Sequence, residues 1–212
     1  MKIICVGMNY PQHTEELGAM QPTARGTSGG KEPTIFMKPD TALLRGGMPF
    51  FIPDWAERFD YECELVYRIS RLGRCIEPRF AHRYYDAVGL GIDFTARDLQ
   101  ERQRSEGLPW EISKGFDQSA AISPRFISMS DIADARDIRF ELRVNGELRQ
   151  SGTSGEMTHG IDEIISYVSR YFSLRIGDLI FTGTPAGVGP VKIGDRLTGT
   201  INGQEMLDFM IK

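Results

Sequence analysis

Three carboxylate side chains recur at every second position of the segment FDYECELVYRI, residues 59–69. Asp60, Glu62 and Glu64 alternate with aromatic and apolar residues, a pattern that predicts a β-strand with the three acids on one face. Acidic residues are uncommon in strands, and like charges on one face repel each other. The segment therefore has two interpretations: a solvent-exposed strand face, or a group of acids gathered around a positive charge.

A further acid, Asp93, strengthens the interpretation of a group gathered around a positive charge. Glu62 and Glu64 can reach a common point, and a divalent cation there would remove their repulsion; oxygen ligands favour Mg²⁺, Mn²⁺ or Ca²⁺. Asp93 ends the apolar run VGLGIDF just before a predicted helix, where a charge serves either as a helix cap or as a ligand. Together the three carboxylates would leave open coordination positions for water or substrate.

An imidazole and a carboxylate lie three residues apart in NYPQHTEE. His13 and Glu16 would share one face of a helical turn, where the carboxylate raises the basicity of the imidazole and the pair can activate water. The alternative is a surface histidine near surface acids. The Gly-rich segment at residues 21–33 predicts a loop that could close over a substrate.

A lysine and a threonine stand in segments suited to binding an anion. Lys114 lies in PWEISKGFDQSA, where it either extends over apolar surface with its charge in water or meets a carboxylate in a pocket. Thr182 and Thr184 lie in IFTGTPAGVGP, whose turn could offer backbone N–H groups and a hydroxyl to an anion.

The elements that must position these residues are mostly strands, with fewer helices that do not alternate regularly with them. This pattern predicts one α+β domain over residues 1–212 with a mainly antiparallel sheet. The predicted strands are residues 2–7, 33–39, 49–53, 59–69 and 88–94, and a hairpin at 138–152 turning at Asn145-Gly146. The predicted helices are a short one at 80–87, one after an N-cap at Thr95, and an amphipathic one at 159–174.

The totals exclude several classes of protein. The formal net charge of -4 over 212 residues gives no basic surface for nucleic acid. No apolar run reaches the ~20 residues of a membrane span, and the first apolar stretch is too short for a signal peptide. The 3 cysteines form no CxxC pair, so a disulfide framework and a zinc site are not predicted. A cytoplasmic location is expected.

Six motifs in order resemble the fumarylacetoacetate hydrolase (FAH) family, especially its small single-domain members. They are VGMNYPQHTEE, FMKP, DYECEL, GIDFTARDLQ, KGFD and IFTGTPAGVG. The resemblance implies a mixed β-sandwich roll with a few short helices, a homodimer, a Mg²⁺ or Mn²⁺ ion and a small keto-acid substrate. It implies these roles: metal-binding for Glu62, Glu64 and Asp93; catalytic for His13, Glu16 and Lys114; and substrate-binding for Arg97, Gln100, Lys114 and Thr184. Asp60 belongs to the pattern but is assigned no metal bond.

The chain departs from the family pattern at three places near the expected substrate. Several relatives have Arg where this chain has Met8, and many have Gly-Pro where it has Ile122-Ser123-Pro124. The Gly-rich insertion at residues 23–30 is also unusual in length. These departures leave the substrate open.

The resemblance favours metal-dependent hydrolysis of a carbon–carbon bond in a small 2,4-dioxo acid such as an acylpyruvate, with His13 taking a proton from the attacking water. Oxaloacetate decarboxylation is an alternative that needs no attacking water. Keto–enol or double-bond isomerisation, as in hydroxymuconate isomerases, needs proton transfer only. A non-catalytic cation- or ligand-binding β module is the alternative from another class. In it the three acids would bind Ca²⁺, and His13, Glu16 and Lys114 would be incidental surface residues.

Overall fold

The computed structural model describes residues 1–12 and 32–212. Residues 13–31 lie outside the described residues. The predictions for His13 and Glu16 and for the Gly-rich insertion at residues 23–30 all fall within that range.

The described strands form three sheets. The largest has eight strands: β1 (Ile3–Gly7), β2 (Thr34–Lys38), β3 (Leu43–Leu44), β5 (Cys63–Ile69), β6 (Tyr85–Asp93), β8 (Ala120–Ile122), β9 (Ile127–Ser128) and β12 (Leu179–Phe181). The second has four: β10 (Arg139–Val144), β11 (Glu147–Thr153), β14 (Arg196–Ile201) and β15 (Gln204–Met210). The third has three short strands: β4 (Phe59–Tyr61), β7 (Thr95–Ala96) and β13 (Gly189–Pro190).

Pairing between these strands is mainly antiparallel. The large sheet has the order β2-β1-β12-β5-β6-β8-β3, with β9 also paired to β6, and the four-stranded sheet has the order β11-β10-β14-β15. Among the described strands, the parallel pairs are β1 with β12 and β3 with β8. The prediction of an α+β fold with a mixed, mainly antiparallel sheet and few helices is confirmed.

The helices with bounds inside the described residues are α1 (Pro78–Ala81), α2 (Arg97–Glu106), α3 (Glu111–Lys114) and α4 (Ile161–Tyr171). Short 3-10 turns lie at Asp40–Ala42, Met129–Asp131 and Ser154–Glu156. In the part of the chain that the structure describes, no helix is both long and apolar enough to cross a membrane.

The acidic segment at residues 59–69 forms two strands instead of the one predicted. β4 ends at Tyr61 and β5 begins at Cys63, so Glu62 lies where the chain passes from one sheet to another. The backbone N–H of Cys63 donates to the Gln150 side chain (2.9 Å) and not to a neighbouring strand. A side chain thus satisfies the backbone at the break in strand pairing.

Several predicted elements are confirmed. The hairpin of β10 and β11 turns at Asn145 and Gly146, which both have positive φ (53° and 84°), as a two-residue type I′ turn requires. Helix α2 ends at Gly107 with φ 68°. Helix α4 buries Ile161, Ile164, Ile165 and Val168, but Phe172, placed on the same face by its spacing, is 39% exposed.

Two predicted elements are wrong or shorter. Residues 49–53 form an isolated bridge between Phe50 and Ile211 and not a full strand. The N–H groups of Phe50 and Ile52 bond to the chain end, whereas the flanking prolines have no N–H to extend the pairing. The helix predicted at 80–87 is limited to α1, because the chain from Tyr85 pairs with β5 and becomes β6. Pairing with a neighbouring strand overrides the local preference here.

The predicted cap of the next helix is also wrong. Ala96 is the N-cap of α2 and forms no side-chain capping bond. Thr95 pairs with Asp60 in the three-stranded sheet and accepts a hydrogen bond from Lys114 Nζ at 2.7 Å. Its hydroxyl therefore belongs to the group of charged residues described next.

Candidate functional site

The carboxylates of Glu62, Glu64 and Asp93 meet in one buried group. One oxygen from each lies within 4.8 Å of the others, and the residues are 6%, 2% and 0% exposed. Asp60 is 1% exposed, so the interpretation of these acids as a solvent-exposed strand face is wrong. Asp93 is not a helix cap either, since Ala96 holds that position. The structure therefore has the arrangement that a divalent cation would require.

Strand pairing brings the three acids together. Cys63 pairs with Ile92, and the carbonyl of Glu62 accepts a hydrogen bond from the N–H of Asp93 (2.8 Å), so these two acids stand side by side at one end of the β5–β6 pair. Glu64, two residues further along, points to the same side as Glu62.

The turn after β12 holds Glu64 in place. The backbone N–H of Gly183 donates to Glu64 Oε2 at 2.6 Å. Gly183 has φ +95°, and a Cβ there would lie 2.8 Å from the Cβ of Asn9 and 3.1 Å from the carbonyl oxygen of Val6. Only glycine permits both this backbone conformation and this close approach.

Replacing Gly183 by alanine should therefore displace Glu64 and weaken Mn²⁺ binding by at least about tenfold, the scale of losing a group that orients a ligand. Gly194→Ala is the matched control, because Gly194 has nearly the same φ (+94°) but no atom within 4 Å of a Cβ. Both variants should lose about 1 kcal/mol from the positive φ, while only Gly183→Ala should lose Mn²⁺ affinity by calorimetry. Equal Mn²⁺ affinity in the two variants would show that the turn does not position Glu64.

Glu64 differs electrostatically from its neighbours. Among the described residues it forms no ion pair, whereas Glu62 and Asp93 each contact basic side chains. Burial, followed by the charges of Asp93 and Glu62, raises the pKa of Glu64 well above 4.5. A cation bound at the Glu64 carboxylate would favour its ionised form, which no basic side chain of the described residues does by direct contact.

Lys114 is the first of the basic residues in this group. Its Nζ donates to Glu62 Oε2 (2.8 Å), Asp93 Oδ2 (2.8 Å) and Thr95 Oγ1 (2.7 Å), and the residue is 3% exposed. Burial lowers the pKa of Lys114, but the charges of Asp93 and Glu62 outweigh burial and raise it. Lys114 is a buried ammonium ion and not a surface residue.

Lys38 is a second buried basic residue, which had no predicted role beyond its place in the FMKP motif. Its Nζ lies 2.7 Å from Asp93 Oδ1 and donates to Ser119 Oγ at 2.9 Å and to the carbonyl of Lys114. The contact with Asp93 is an ion pair outside hydrogen-bond geometry, and Oδ1 accepts no hydrogen bond from the described residues. Within the described residues, that oxygen is thus paired with the charge of Lys38 and with no hydrogen-bond donor.

Arg97 spans two of the acids instead of standing alone in the cleft. It donates to Asp60 Oδ2 (2.8 Å), Glu62 Oε1 (2.5 Å) and Gln100 Oε1 (2.6 Å). The contacts with Glu62 and Asp60 raise the pKa of Arg97 despite burial, which acts against them. Arg58 also donates to Asp60 Oδ1 at 2.8 Å. Because the side-chain oxygen of Gln100 is bound by Arg97, Gln100 can offer a ligand its amide N–H groups.

Thr184 lines the cleft, but its hydroxyl is already engaged. Oγ1 donates to the carbonyl of Cys63 (2.8 Å) and accepts from Gln150 Nε2 (2.8 Å). Gln150, 1% exposed, also binds the N–H of Cys63 and the carbonyl of Pro185, so it ties the Gly-rich turn to β5. No sequence pattern pointed to Gln150, which occupies an ordinary position in a hairpin strand.

These groups face one common cleft. Its lining consists of Val6, Gly7, Met8, Phe36, Glu62, Glu64, Asp93, Arg97, Gln100, Arg104, Trp110, Lys114 and Thr184. The lining includes every predicted site residue that the structure describes, which are Glu62, Glu64, Asp93, Arg97, Gln100, Lys114 and Thr184. The donors are carboxylate oxygens, and an oxygen of Asp93 accepts no hydrogen bond, so the residues fit a hard dication such as Mg²⁺ or Mn²⁺.

The chain matches known proteins along its whole length. The family model described as the fumarylacetoacetate (FAA) hydrolase C-terminal region matches residues 2–210. The mitochondrial oxaloacetate tautomerase of Mus musculus is 40% identical over 210 residues, which cover 99% of this chain and 91% of that protein. An oxaloacetate tautomerase of Escherichia coli (strain K12) is 37% identical over 205 residues, covering 97% of this chain and 90% of that protein.

A solved structure shares the fold. Fumarylpyruvate hydrolase from Pseudomonas aeruginosa, in complex with Mn²⁺ and pyruvate, superimposes with a TM-score of 0.88 at 37% identity, covering 100% of this chain and 89% of that one. Sequence, fold and the buried acidic triad agree: the chain is an enzyme of the fumarylacetoacetate hydrolase family.

Proposed function

We propose that this enzyme interconverts the keto and enol forms of a small 2-keto acid of the oxaloacetate class, with Mg²⁺ or Mn²⁺ held by Glu62, Glu64 and Asp93. The observation that carries the proposal is the buried group of three carboxylates within 4.8 Å, with the ammonium of Lys114 fixed between two of them. The tautomerases of mouse and Escherichia coli, at 40% and 37% identity, support this reaction over hydrolysis.

The residues have distinct tasks in this reaction. The cation would act as a Lewis acid that stabilises the negative charge of the enolate. Lys114 would add a second positive charge near the enolate oxygen. Arg97 fixes the carboxylate of Glu62, to which Lys114 also donates. The amide N–H groups of Gln100 and the turn at Thr184 hold the substrate's 1-carboxylate.

The proton at C3 is assigned to a pair outside the described residues. His13, oriented by Glu16, is proposed to carry it to and from C3. This role uses the same two residues as water activation, but it requires no attacking water.

Hydrolysis of an acylpyruvate is the second candidate, because the Pseudomonas aeruginosa relative is a fumarylpyruvate hydrolase solved with Mn²⁺ and pyruvate. Decarboxylation of oxaloacetate would use the same enolate chemistry. The non-catalytic cation-binding module is wrong: the chain belongs to an enzyme family, and Lys114 is buried within the acidic group. A homodimer and a cytoplasmic location stay predictions.

The test follows three reactions of one preparation: tautomerisation of oxaloacetate, its decarboxylation to pyruvate and cleavage of acetylpyruvate. The protein is stripped with EDTA and reloaded with Mg²⁺ or Mn²⁺. We expect metal-dependent loss of enol-oxaloacetate absorbance without matching release of pyruvate. Asp93→Asn should lower this rate by about a hundredfold or more, whereas Asp86→Asn, on the exposed part of the same strand, should leave it unchanged. Faster cleavage of acetylpyruvate, or pyruvate release equal to enol loss, would overturn the proposal.

A further inference from the structure

Helix α2 presents three polar residues to the cleft along one face. Arg97, Gln100 and Arg104 are separated by three and four positions, so they lie one above the other over two helical turns. Seven residues of helix correspond to a rise of about 10 Å. The backbone of Arg104 is therefore displaced by about this distance along the cleft from that of Arg97, which is bound to the acidic group.

Arg104 differs from Arg97 in having no carboxylate partner. Arg97 binds Asp60 and Glu62, whereas Arg104 forms no ion pair with any residue in 1–12 or 32–212. Glu101, one turn before it, is exposed and forms no ion pair with it. Burial and the nearby charge of Arg97 lower the pKa of Arg104, so its guanidinium is held in an environment that disfavours the charge. An incoming anion would relieve this cost.

Among the described residues that line the cleft, Arg104 is the basic residue with no carboxylate partner, because Arg97 and Lys114 are both paired with acids. Met8, Phe36 and Trp110 line the cleft without charge. Met8 has φ 55° and brings no charge to the cleft. A guanidinium offers paired N–H groups that match the two oxygens of a carboxylate.

The helix that carries Arg104 is fixed in place. Gln103, the preceding residue, is 5% exposed; its side-chain oxygen accepts a hydrogen bond from Ser113 Oγ (2.5 Å), and its carbonyl accepts one from the N–H of Leu108 (2.8 Å). These bonds tie α2 to the segment that carries Lys114. The positions of Arg104 and Lys114 are therefore fixed relative to each other. A site that selects a ligand with a charged group at each end requires such fixed positions.

We infer that Arg104 binds the distal carboxylate of the substrate, so that this enzyme selects 2-keto dicarboxylic acids over 2-keto monocarboxylic acids. The inference rests on the proposed function for the orientation of the ligand, with its keto-acid end at the acidic group. It adds the residue that recognises the second carboxylate of such a substrate, which the acidic group alone does not define.

The experiment compares two stable ligands of equal chain length, 2-oxoglutarate and 2-oxopentanoate, which differ in a terminal carboxylate or methyl group. Calorimetry of the Mn²⁺-loaded protein should show tighter binding of 2-oxoglutarate. Arg104→Ala should weaken 2-oxoglutarate binding by about ten- to a hundredfold, the scale of a charge-assisted hydrogen bond, and change 2-oxopentanoate binding by less than about twofold. Arg104→Lys, which keeps the charge but not the paired N–H groups, should fall between.

Arg102→Ala is the matched control, because Arg102 lies on the exposed face of the same helix. It should leave both affinities unchanged, and thermal unfolding should confirm that all the variants are folded. A wild-type protein without preference for 2-oxoglutarate, or Arg104→Ala that retains the preference, would overturn the inference. Absence of tautomerase activity in the wild type would instead count against the proposed function, since the binding comparison does not depend on turnover.

Discussion

Replacement of Glu64 by glutamine should stabilise the metal-free protein and at the same time remove its metal binding. Glu64 is 2% exposed and forms no ion pair among the described residues, so its ionised form is unfavourable in the folded state. Glutamine keeps an oxygen for the N–H of Gly183 but removes the charge. We expect a gain of about 1 kcal/mol, or roughly 2–4 °C in Tm, and a loss of Mn²⁺ affinity of more than about a hundredfold.

The gain should grow with pH. The pKa of Glu64 is raised above 4.5 in the folded protein, so as pH rises past that value the unfolded chain releases a proton that the folded chain retains. The stability that the protonated group contributes is present below pH 4.5 and is lost as pH rises through the folded-state pKa. The wild type loses stability in this window, and Glu64→Gln has no such loss.

Thermal unfolding in EDTA from pH 4 to pH 8 measures this effect, with Mn²⁺ titration of the same samples. Glu205→Gln is the control, since Glu205 is exposed on β15 and should show neither change. A metal-free Glu64→Gln protein less stable than the wild type at pH 8 would contradict the electrostatic account of this residue.

Replacement of Lys38 by methionine should have the largest effect on stability. Lys38 is 2% exposed, and its loss leaves Asp93 with one buried cation fewer. It also removes the donor to Ser119 Oγ and one of the two donors to the carbonyl of Lys114, the other being Ser119 Oγ. Breaking one side of a buried ion pair costs about 3–5 kcal/mol, which corresponds to roughly 10 °C in the Tm of a domain of this size. Differential scanning calorimetry in EDTA measures it.

A divalent cation should restore part of this loss, because it supplies positive charge to the same carboxylates. The rise in Tm on adding Mn²⁺ should thus be greater for Lys38→Met than for the wild type. Lys192→Met, at an exposed position, should behave like the wild type. A Tm for Lys38→Met within a few degrees of the wild type in EDTA would mean that the pair does not stabilise the fold.

Local patterns in the sequence predicted the acidic side of the site. The alternation of Asp60, Glu62 and Glu64 identified acids on one face, and Asp93 stood out as a charge ending an apolar run. Both signals arise within about ten residues and depend only on the two-residue period of a strand. The Asn145-Gly146 hairpin was predictable for the same reason, because its turn geometry depends on two adjacent residues.

The basic side of the site was harder to predict, because it depends on contacts distant in sequence. Lys38 meets Asp93 across 55 positions, and Gln150 meets Cys63 across 87. Neither residue type is unusual in its own strand, and only the packing of sheets shows that both are buried. The division of the acidic segment at Glu62 was missed likewise, since its cause is a side chain from a distant hairpin.

One pairing in the large sheet has a consequence for biosynthesis. Strand β1 lies parallel to β12, with Ile3 beside Leu179, and the turn after β12 supplies the N–H that holds Glu64. A nascent chain cannot complete this sheet until the ribosome has released residues far beyond Asp93. Glu62 and Asp93 can meet Lys38, Arg97 and Lys114 once residue 114 has been made, whereas Glu64 must wait for the N–H of Gly183. Contacts this distant in sequence slow folding, so completion of the site is expected to be a late step.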